Sequence, residues 1–304
     1  MRKQTFEALL RELAFFLYDT GKVQRVRNRL DIPLLMVLWI LATPDSFRSV
    51  ALRFGVRPGS VHDNYSFIIE AFRNMAPQYI MWPDRQERAM IKERFYQYSK
   101  TYINRHHQYS FNSMVVADDN LLIRDLHLGE VGSMHDARVF RRSPLYMKLL
   151  QDDNEEYLSE DEHIVGDGAY GVTNFLMCPF RNVGRLTEEQ TECNKQLSRC
   201  RVRIEHTFGK AFGQWRRMKM LECSHIDLAI DHFTASYVLH NFMILNGERM
   251  MDLDQPDQFL PLLEENRNVN AGEEEALDDE VLRMLENRAK RLGEQKRMRL
   301  VNQL

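Results

Sequence analysis

Three acidic residues in this chain stand in contexts where carboxylates commonly do chemistry. Asp167 lies between two glycines at the end of a short apolar run, in HIVGDGAYG over 163–171. Asp136 opens a predicted helix in GSMHDARVF, and Glu205 lies within a basic helix in RVRIEHTF. Carboxylates at a sheet edge that meet a glutamate from a packed helix can hold one or two Mg²⁺ ions. Two such ions can activate a water or a 3′-hydroxyl and stabilise the leaving oxygen of a phosphodiester.

The sequence also allows simpler explanations of these acids. A residue that only caps the next segment accounts for Asp167 equally well. In either case Gly166 and Gly168 let the backbone bend or approach a neighbour closely. The chain also has 44 acidic residues, so chance spacing accounts for three of them in similar contexts.

The distribution of charge favours a partner that is a polyanion. The net charge is only −3, but residues 1–110 hold 17 Lys/Arg against 10 Asp/Glu. Residues 195–219 hold eight Lys/Arg and one acid, whereas residues 251–280 are strongly acidic. Clustered Lys and Arg bind nucleic-acid phosphates, although ordinary solvated helix faces carry similar charge. The expected DNA contacts in the basic helix are Arg201, Arg203, Arg216 and Arg217.

Two short helices around Gly55 resemble a helix-turn-helix. Ser46 is expected to cap a helix over 47–54 that ends at Gly55. Ser60 is expected to cap a second helix over 61–72. A plain helical hairpin has the same pattern, so DNA binding by these helices is a hypothesis. Its candidate contacts to phosphates or base edges are Arg57, Ser60, His62 and Asn64.

Hydrophobic periodicity predicts the elements that must position the three acids. Residues 1–104 are helical almost throughout, and further helices are predicted over 134–151, 186–221 and 226–245. Thr187 is the expected N-cap of the helix over 186–221, with Gln190 three residues later. The helix over 226–245 is expected to be buried on the side of Ile226, Ile230, Phe233, Tyr237 and Phe242.

Strands are predicted in the middle of the chain. SFNSMVVADD and LLIRDLHLGE alternate as antiparallel partners do, and EDEHIVGDGAY predicts a strand that ends at Asp167. From Met251 the chain is polar and acidic, and a helix is predicted from Glu273 onward.

Composition narrows the class of protein. The chain has 304 residues, 44% of them hydrophobic, and no apolar run of eighteen residues, so a membrane span is not expected. The N-terminus has the pattern of an amphipathic helix and not of a signal peptide. Four cysteines without a CxxC pair argue against a zinc finger or a disulfide framework and favour a reducing compartment. We therefore expect a protein of the nucleus or cytoplasm that is neither secreted nor membrane-bound.

Several separate blocks of the chain resemble Harbinger-type (PIF/Harbinger) DDE transposases and their domesticated relatives. The blocks cover roughly residues 30–247 in the order of that family. They are IPLLMVLWILATPDSFRSVALRFGV, YIMWPDRQERAMIKERF, YINRHHQYSFNSMVVAD, GEVGSMHDARVFRRSPLY, HIVGDGAYGVTNFLMCPFR, CRVRIEHTFGKAFGQWRRMKML and SYVLHNFMI.

The resemblance implies a fold and a division into domains. It implies an α/β (α+β) chain with a helical DNA-binding region over 1–104 and an RNase-H-like DDE transposase domain over 105–247. An acidic, partly helical tail follows over 248–304.

The resemblance also implies roles for the acids. Asp136, Asp167 and Glu205 match catalytic, metal-binding positions of the family, and Asp118 matches a further acid that the family often has. The implied cofactor is Mg²⁺ or Mn²⁺, and the implied substrate is DNA. The family further implies a nuclear protein and a separate DNA-binding partner protein, and it leaves an oligomer open.

One departure from the family bears on activity. In the family a strand similar to GAIDGTHI carries the first catalytic Asp, between the ERF-type helix and the YINR block. Here ERFYQYSKTYINR runs straight through, and no acid lies between Phe95 and Ser110. The sheet thereby loses its expected central strand, through gene decay or a mis-spliced gene model. The nearest acids that could substitute are Asp118 and Asp119.

The sequence therefore predicts a transposase-derived, divalent-metal-dependent DNA endonuclease or strand-transfer protein of the Harbinger type, in degenerate form. The alternatives are a catalytically inert DNA-binding or scaffold protein, or an unrelated helical regulator with chance similarity. The first reading predicts that the carboxylates of Asp167 and Glu205 lie about 4–8 Å apart, with Asp136 at their rim.

Overall fold

A computed structural model describes residues 1–22, 29–98, 112–130, 134–181, 184, 186–219, 221, 225–248 and 279–302 of the chain. The chain divides into two compact units. Unit 1 is Met1–Met81 with Thr207–Phe259, and unit 2 is Trp82–His206 with Leu260–Leu304. The boundaries of these two units differ from the boundaries of the predicted domains, and the division into those domains stays a prediction.

Unit 1 consists of helices. Its first helix, α1 (Lys3–Asp19), buries Leu9, Leu13 and Leu17 at the four-residue spacing of one helix face. The helices that follow are α2 (Asp31–Ala42), α3 (Phe47–Phe54) and α4 (Pro58–Tyr79).

Of the two helices predicted around Gly55, only the first begins and ends as predicted. The Ser46 hydroxyl accepts a hydrogen bond from the Ser49 amide at 3.2 Å, and a left-handed Gly55 ends α3. The prediction that Ser60 caps the second helix is wrong. Pro58 occupies the first turn of α4 and Arg57 the N-cap position, because the fixed φ of proline suits the start of a helix.

The last long helix of unit 1, α9 (Ile226–Leu245), is buried on all sides from Thr234 to Met243. The Tyr65 hydroxyl of α4 lies 2.5 Å from His232 Nδ1, and Asn241 Nδ2 donates to the Tyr79 carbonyl at 2.7 Å. Ile226 was expected on the buried side but is 53% exposed, because it is the first residue of the helix.

The strands belong to unit 2. As predicted, β1 (Asn112–Ala117) pairs antiparallel with β2 (Ile123–Glu130). The short strand β3 (Ile164–Val165), which precedes Asp167, pairs in parallel with β4 (Leu176–Met177). In the described ranges these four strands form two separate two-stranded sheets. The stretch around 99–111, where the family's first strand was expected to be missing, lies outside the described residues.

The helices of unit 2 include α5 (Arg85–Tyr98), α6 (Asp136–Arg142) and α7 (Pro144–Leu150). One helix was predicted over 134–151, but Ser143 and Pro144 divide it. The Ser143 hydroxyl accepts from the Tyr146 amide at 3.2 Å, which caps α7 and starts a new helix.

The long helix α8 (Glu188–Gln214) begins with the predicted cap. Gln190 N donates to Thr187 Oγ1 at 3.2 Å, and Thr187 N donates to Gln190 Oε1 at 3.1 Å. This reciprocal pair is a capping box. A 3-10 helix over Arg216–Lys219 follows it in the chain.

The final helix, α10 (Asp279–Val301), packs on α7 and β4 within unit 2. It buries Ala289 and Val301, and its Lys296 Nζ donates to the carbonyls of Glu162 and Asn174 at 2.6 and 3.0 Å. The first residues of the predicted helix, 273–278, lie outside the described ranges.

The described elements form a helix-rich mixture with small sheets, which is compatible with the α/β class. Among the helices in the described ranges, none combines the length and the apolar character that crossing a membrane requires.

Candidate active site: carboxylates around Arg201

Asp167 is positioned by the parallel pair of strands. Gly166 N donates to the Met177 carbonyl at 2.9 Å, which holds the chain beside β4 just before Asp167. A Cβ at Gly166 would lie 3.0 Å from Leu176 Cδ1 and 3.2 Å from Tyr170 Cδ2. Gly166, the first glycine of GDGAY, therefore lets the backbone pass close to Leu176 and Tyr170. This close packing fixes the path of the backbone into Asp167.

The two oxygens of Asp167 have different partners. Oδ1 accepts a hydrogen bond from the Ala169 amide at 3.3 Å, as a turn-capping aspartate does. Oδ2 accepts from Arg201 Nη1 at 3.0 Å. The simple capping role and a role at a charged site therefore coexist in one side chain.

Glu205 reaches the same arginine from α8. Arg201 and Glu205 are four residues apart on this helix, which is the spacing at which side chains meet. Arg201 Nη2 donates to Glu205 Oε1 at 3.2 Å, so one guanidinium contacts both carboxylates. The contacting oxygens of Asp167 and Glu205 therefore lie no more than about 9 Å apart, given the compact fork of a guanidinium. The narrower predicted separation of about 4–8 Å stays a prediction.

The negative charges of Asp136 and Asp167 both act on the hydroxyl of Tyr170. Asp136 is the first residue of α6, whose N-cap His135 accepts from the Ala137 amide through its side chain. Burial raises the pKa of the Tyr170 hydroxyl, and the negative charges of Asp136 and Asp167 raise it further, while Arg201 opposes them. The tyrosine hydroxyl thus lies within electrostatic reach of two predicted site acids and of Arg201.

The sequence reasoning did not assign Tyr170 to the site, and it assigned Arg201 to DNA. The opposite charges of Arg201 and Glu205 at i and i+4 were the signal that could have indicated their contact. In the part of the chain that the structure describes, no three His, Cys, Asp or Glu side chains form a group that could hold a metal ion. The metal-binding roles of Asp136, Asp167 and Glu205 stay predictions.

The proposed substitutes, Asp118 and Asp119, are held in the turn between β1 and β2. Asp118 Oδ1 accepts from the amides of Asn120 and Leu122 at 2.8 and 2.9 Å, and Oδ2 accepts from Arg124 Nε at 2.8 Å. Burial raises the pKa of Asp118, against the lowering effect of Arg124. Asp119 is buried and pairs with Arg94. A metal-binding role for Asp118 would require it to leave these partners.

The predicted DNA contacts of α4 lie at its start. Arg57, Ser60 and His62 are exposed, and Asn64 Nδ2 donates to the Ser60 carbonyl at 2.7 Å. The His62 ring packs edge-on against Phe47 of α3, with ring centroids 5.7 Å apart. Exposed polar groups at a helix start are compatible with phosphate contacts, and the role stays a prediction.

The four arginines of the basic cluster differ in their surroundings. Arg216 is exposed and Arg203 is half-buried. Arg217 Nε donates to the Ile40 carbonyl at 3.0 Å, and its Nη2 donates to the Asp45 carbonyl. Arg201 is engaged by Asp167 and Glu205. Arg217 and Arg201 therefore have structural contacts that a role in DNA binding would have to share or break.

Comparison with known proteins identified one family. Residues 89–241, just over half of the chain, match the family model described as DDE superfamily endonuclease. No curated protein and no solved structure matches the chain.

Proposed function

Since the chain belongs to the DDE superfamily endonucleases, we propose that it is a Harbinger-type, transposase-derived nuclease. In this proposal it binds DNA but cleaves it weakly or not at all. The observation that carries the proposal is the convergence of Asp167 and Glu205, 38 residues apart in the chain, on the single guanidinium of Arg201. Acids that converge from a strand end and a helix within the matched region are the arrangement that such an endonuclease needs.

DNA binding rests on charge and exposure. Arg57 and His62 are exposed at the start of α4, and Arg216 is exposed after α8. Each cation that neutralises a phosphate releases condensed counterions, so binding is expected to weaken steeply with salt. We place the protein in the nucleus on this basis, with a separate DNA-binding protein as a further partner.

The carboxylate oxygens of Asp167 and Glu205 are of the chemical type that binds a divalent cation. Mg²⁺ prefers oxygen ligands and is commonly held by one or two carboxylates together with water and substrate phosphate. Asp167 and Glu205 would hold it, and Asp136 is the third ligand that the family resemblance implies. A bound ion would supply Lewis-acid stabilisation of the charge on a phosphodiester oxygen. The protein's own part is to orient the two carboxylates, which β3 and α8 do through Arg201.

Weak cleavage is expected from what the chain lacks. The family's first catalytic Asp has no counterpart between Phe95 and Ser110. Two-ion phosphoryl transfer needs carboxylates on both sides of the ion pair. A misplaced catalytic group alone costs about 100-fold in rate, and a missing ligand should cost more.

A second candidate function is residual metal-dependent nicking, in which Asp118 replaces the missing ligand. The proximity of Asp167 and Glu205 favours it, since two of the required carboxylates are already close. The contacts of Asp118 with Asn120, Leu122 and Arg124 count against it. An inert scaffold role is the limiting case of the proposal, in which no cleavage is measured at all.

The test measures binding and cleavage on the same purified full-length protein. Duplexes with Harbinger-like terminal repeats are titrated at 50–200 mM salt, about the range over which phosphate contacts change affinity strongly. Nicking is assayed with Mg²⁺ and with Mn²⁺, with Asp167→Asn as the control. Salt-dependent binding with little nicking is expected. Affinity that does not change with salt would refute DNA-phosphate binding, and robust nicking abolished by Asp167→Asn would refute weak cleavage.

A further inference from the structure

We propose that the Arg201 guanidinium is the resident cation of the candidate active site, an inference that rests on the proposed function. It holds Asp167 and Glu205 together in the place where a divalent ion would bind. A metal ion must therefore displace it. Arg201 thus regulates metal access and acts as a positioning residue, and it is not a DNA contact.

The contacts of Arg201 divide evenly between the two acids. Nη1 is 3.0 Å from Asp167 Oδ2, and Nη2 is 3.2 Å from Glu205 Oε1. A guanidinium is planar and always charged, so these two donors stand in fixed relation to each other. One side chain therefore sets both the separation of the carboxylates and the direction of one oxygen on each.

Partial burial strengthens this arrangement. The side chain of Arg201 is 17% exposed, that of Glu205 12% and that of Asp167 29%. Charges in such surroundings are screened less by salt than surface charges are. Arg201 also lies one turn before Glu205 on α8, so the helix backbone keeps it beside its partner.

The balance of charge predicts competition. Two carboxylates and one guanidinium carry a net charge of −1, whereas the two carboxylates alone carry −2. A divalent cation that enters beside Arg201 meets a like charge as well as its ligands. Neutralising Arg201 removes that repulsion and releases both carboxylates from charge-assisted hydrogen bonds.

The experiment measures Mn²⁺ binding to the full-length protein without DNA, by electron paramagnetic resonance of the free ion. Arg201→Gln is expected to tighten Mn²⁺ binding by about ten- to a hundredfold, since two charge-assisted hydrogen bonds no longer compete. Arg201→Lys is expected to give a smaller increase, because an ammonium is a compact point charge without the fork. Adding Asp167→Asn to Arg201→Gln is expected to abolish the gain.

Arg199→Gln is the matched control. It removes the same charge from the same helix, but Arg199 pairs with Glu192 at 3.6 Å and not with the site acids. Its Mn²⁺ affinity is expected to equal that of the wild type. A gain of equal size in Arg199→Gln would mean that net charge alone, and not the position of Arg201, sets the affinity, and would overturn the inference.

A purely structural role of Arg201 predicts the opposite sign. In that case Arg201→Gln loosens the site and lowers or does not change the affinity for Mn²⁺, which would overturn the inference. If Arg201→Gln does not fold by circular dichroism, Arg201→Lys decides, and an unchanged affinity in that variant refutes competition. DNA binding is measured on the same samples. A wild-type protein that does not bind DNA would refute the proposed function, whereas the Mn²⁺ affinities alone decide whether Arg201 competes with the metal ion.

Discussion

Replacing Gly293 with alanine should separate α10 from the strands that hold the candidate active site. Gly293 lies in the middle of α10, over the backbone of Thr173. A Cβ at this position would lie 2.3 Å from the Thr173 carbonyl carbon and 2.5 Å from its oxygen. No rotamer change relieves this clash, because both partners are backbone. Thr173 lies between β3 and β4, so a displaced α10 loosens the segment that follows Asp167.

The magnitude follows from what the displacement disturbs. Overpacking in a well-packed site costs about 1–3 kcal/mol and sometimes more. Moving α10 outward also weakens the burial of Ala289 and Val301 and the hydrogen bonds from Lys296 to two carbonyls. Against this, alanine is favoured over glycine within a helix by about 1 kcal/mol. We expect a net loss of about 2–4 kcal/mol, or roughly 5–15 °C in melting temperature.

Gly209→Ala is the matched control. Gly209 is also within a long helix, α8, and a Cβ there would meet no atom within 4 Å. Helix propensity then acts alone, and the variant should gain about 0.5–1 kcal/mol. The same chemical change is thus expected to have opposite signs at two helix positions.

The assays are thermal unfolding and amide hydrogen exchange of residues 279–302. Exchange in α10 should rise in Gly293→Ala and stay as in the wild type in Gly209→Ala, because local opening exposes the amides of the displaced helix. A Gly293→Ala variant as stable as the wild type, with full protection of α10, would show that the packing of α10 on Thr173 is not as described.

Three further predictions concern other parts of the chain. Glu162→Gln should lower the free energy of unfolding by about 3–5 kcal/mol, because it leaves the buried guanidinium of Arg88, now 2.9 Å from Glu162, without its counter-charge. In chemical denaturation the double variant Arg88→Met/Glu162→Gln should lose less stability than Glu162→Gln. An equal or greater loss in the double variant would contradict this account. Burial lowers the pKa of His232 to about 3 and that of His163 to about 4, below the ordinary 6.5. Each should therefore bind its proton on unfolding, so that the free energy of unfolding falls by about 1.4 kcal/mol per histidine for each pH unit below 6.5, down to the folded pKa; imidazole NMR signals of the folded protein that titrate near 6.5 would be inconsistent with this. Arg216→Gln should lower the salt slope of DNA binding by about 0.9 without changing the melting temperature, whereas Arg217→Gln should lower the melting temperature, because its guanidinium donates to the carbonyls of Ile40 and Asp45; equal effects of the two variants on both measurements would refute the distinction.

The sequence alone determined the features that depend on neighbours along the chain. Alternating side chains predicted β1 and β2 as antiparallel partners, and a Thr-x-x-Gln pattern predicted the start of α8. Capping and periodicity are local, since each residue acts on backbone groups within one helical turn or on the facing strand of a hairpin. For the same reason the position of Asp167 just after a short strand could be inferred from HIVGDG.

Only the tertiary structure decided which side chains those elements bring together. Arg201 was assigned to DNA because it lies in a basic run, but folding brings Asp167, 34 residues earlier, to its guanidinium. Asp118 was a candidate metal ligand, but the β1–β2 turn surrounds it with amides and Arg124. Helix α10 packs on β4 because Gly293 lacks the Cβ that would clash with Thr173. The contacts of Arg201 and Gly293 depend on distances between residues far apart in the chain, and those of Asp118 depend on how the β1–β2 turn closes. Neither periodicity nor charge counts encode these distances.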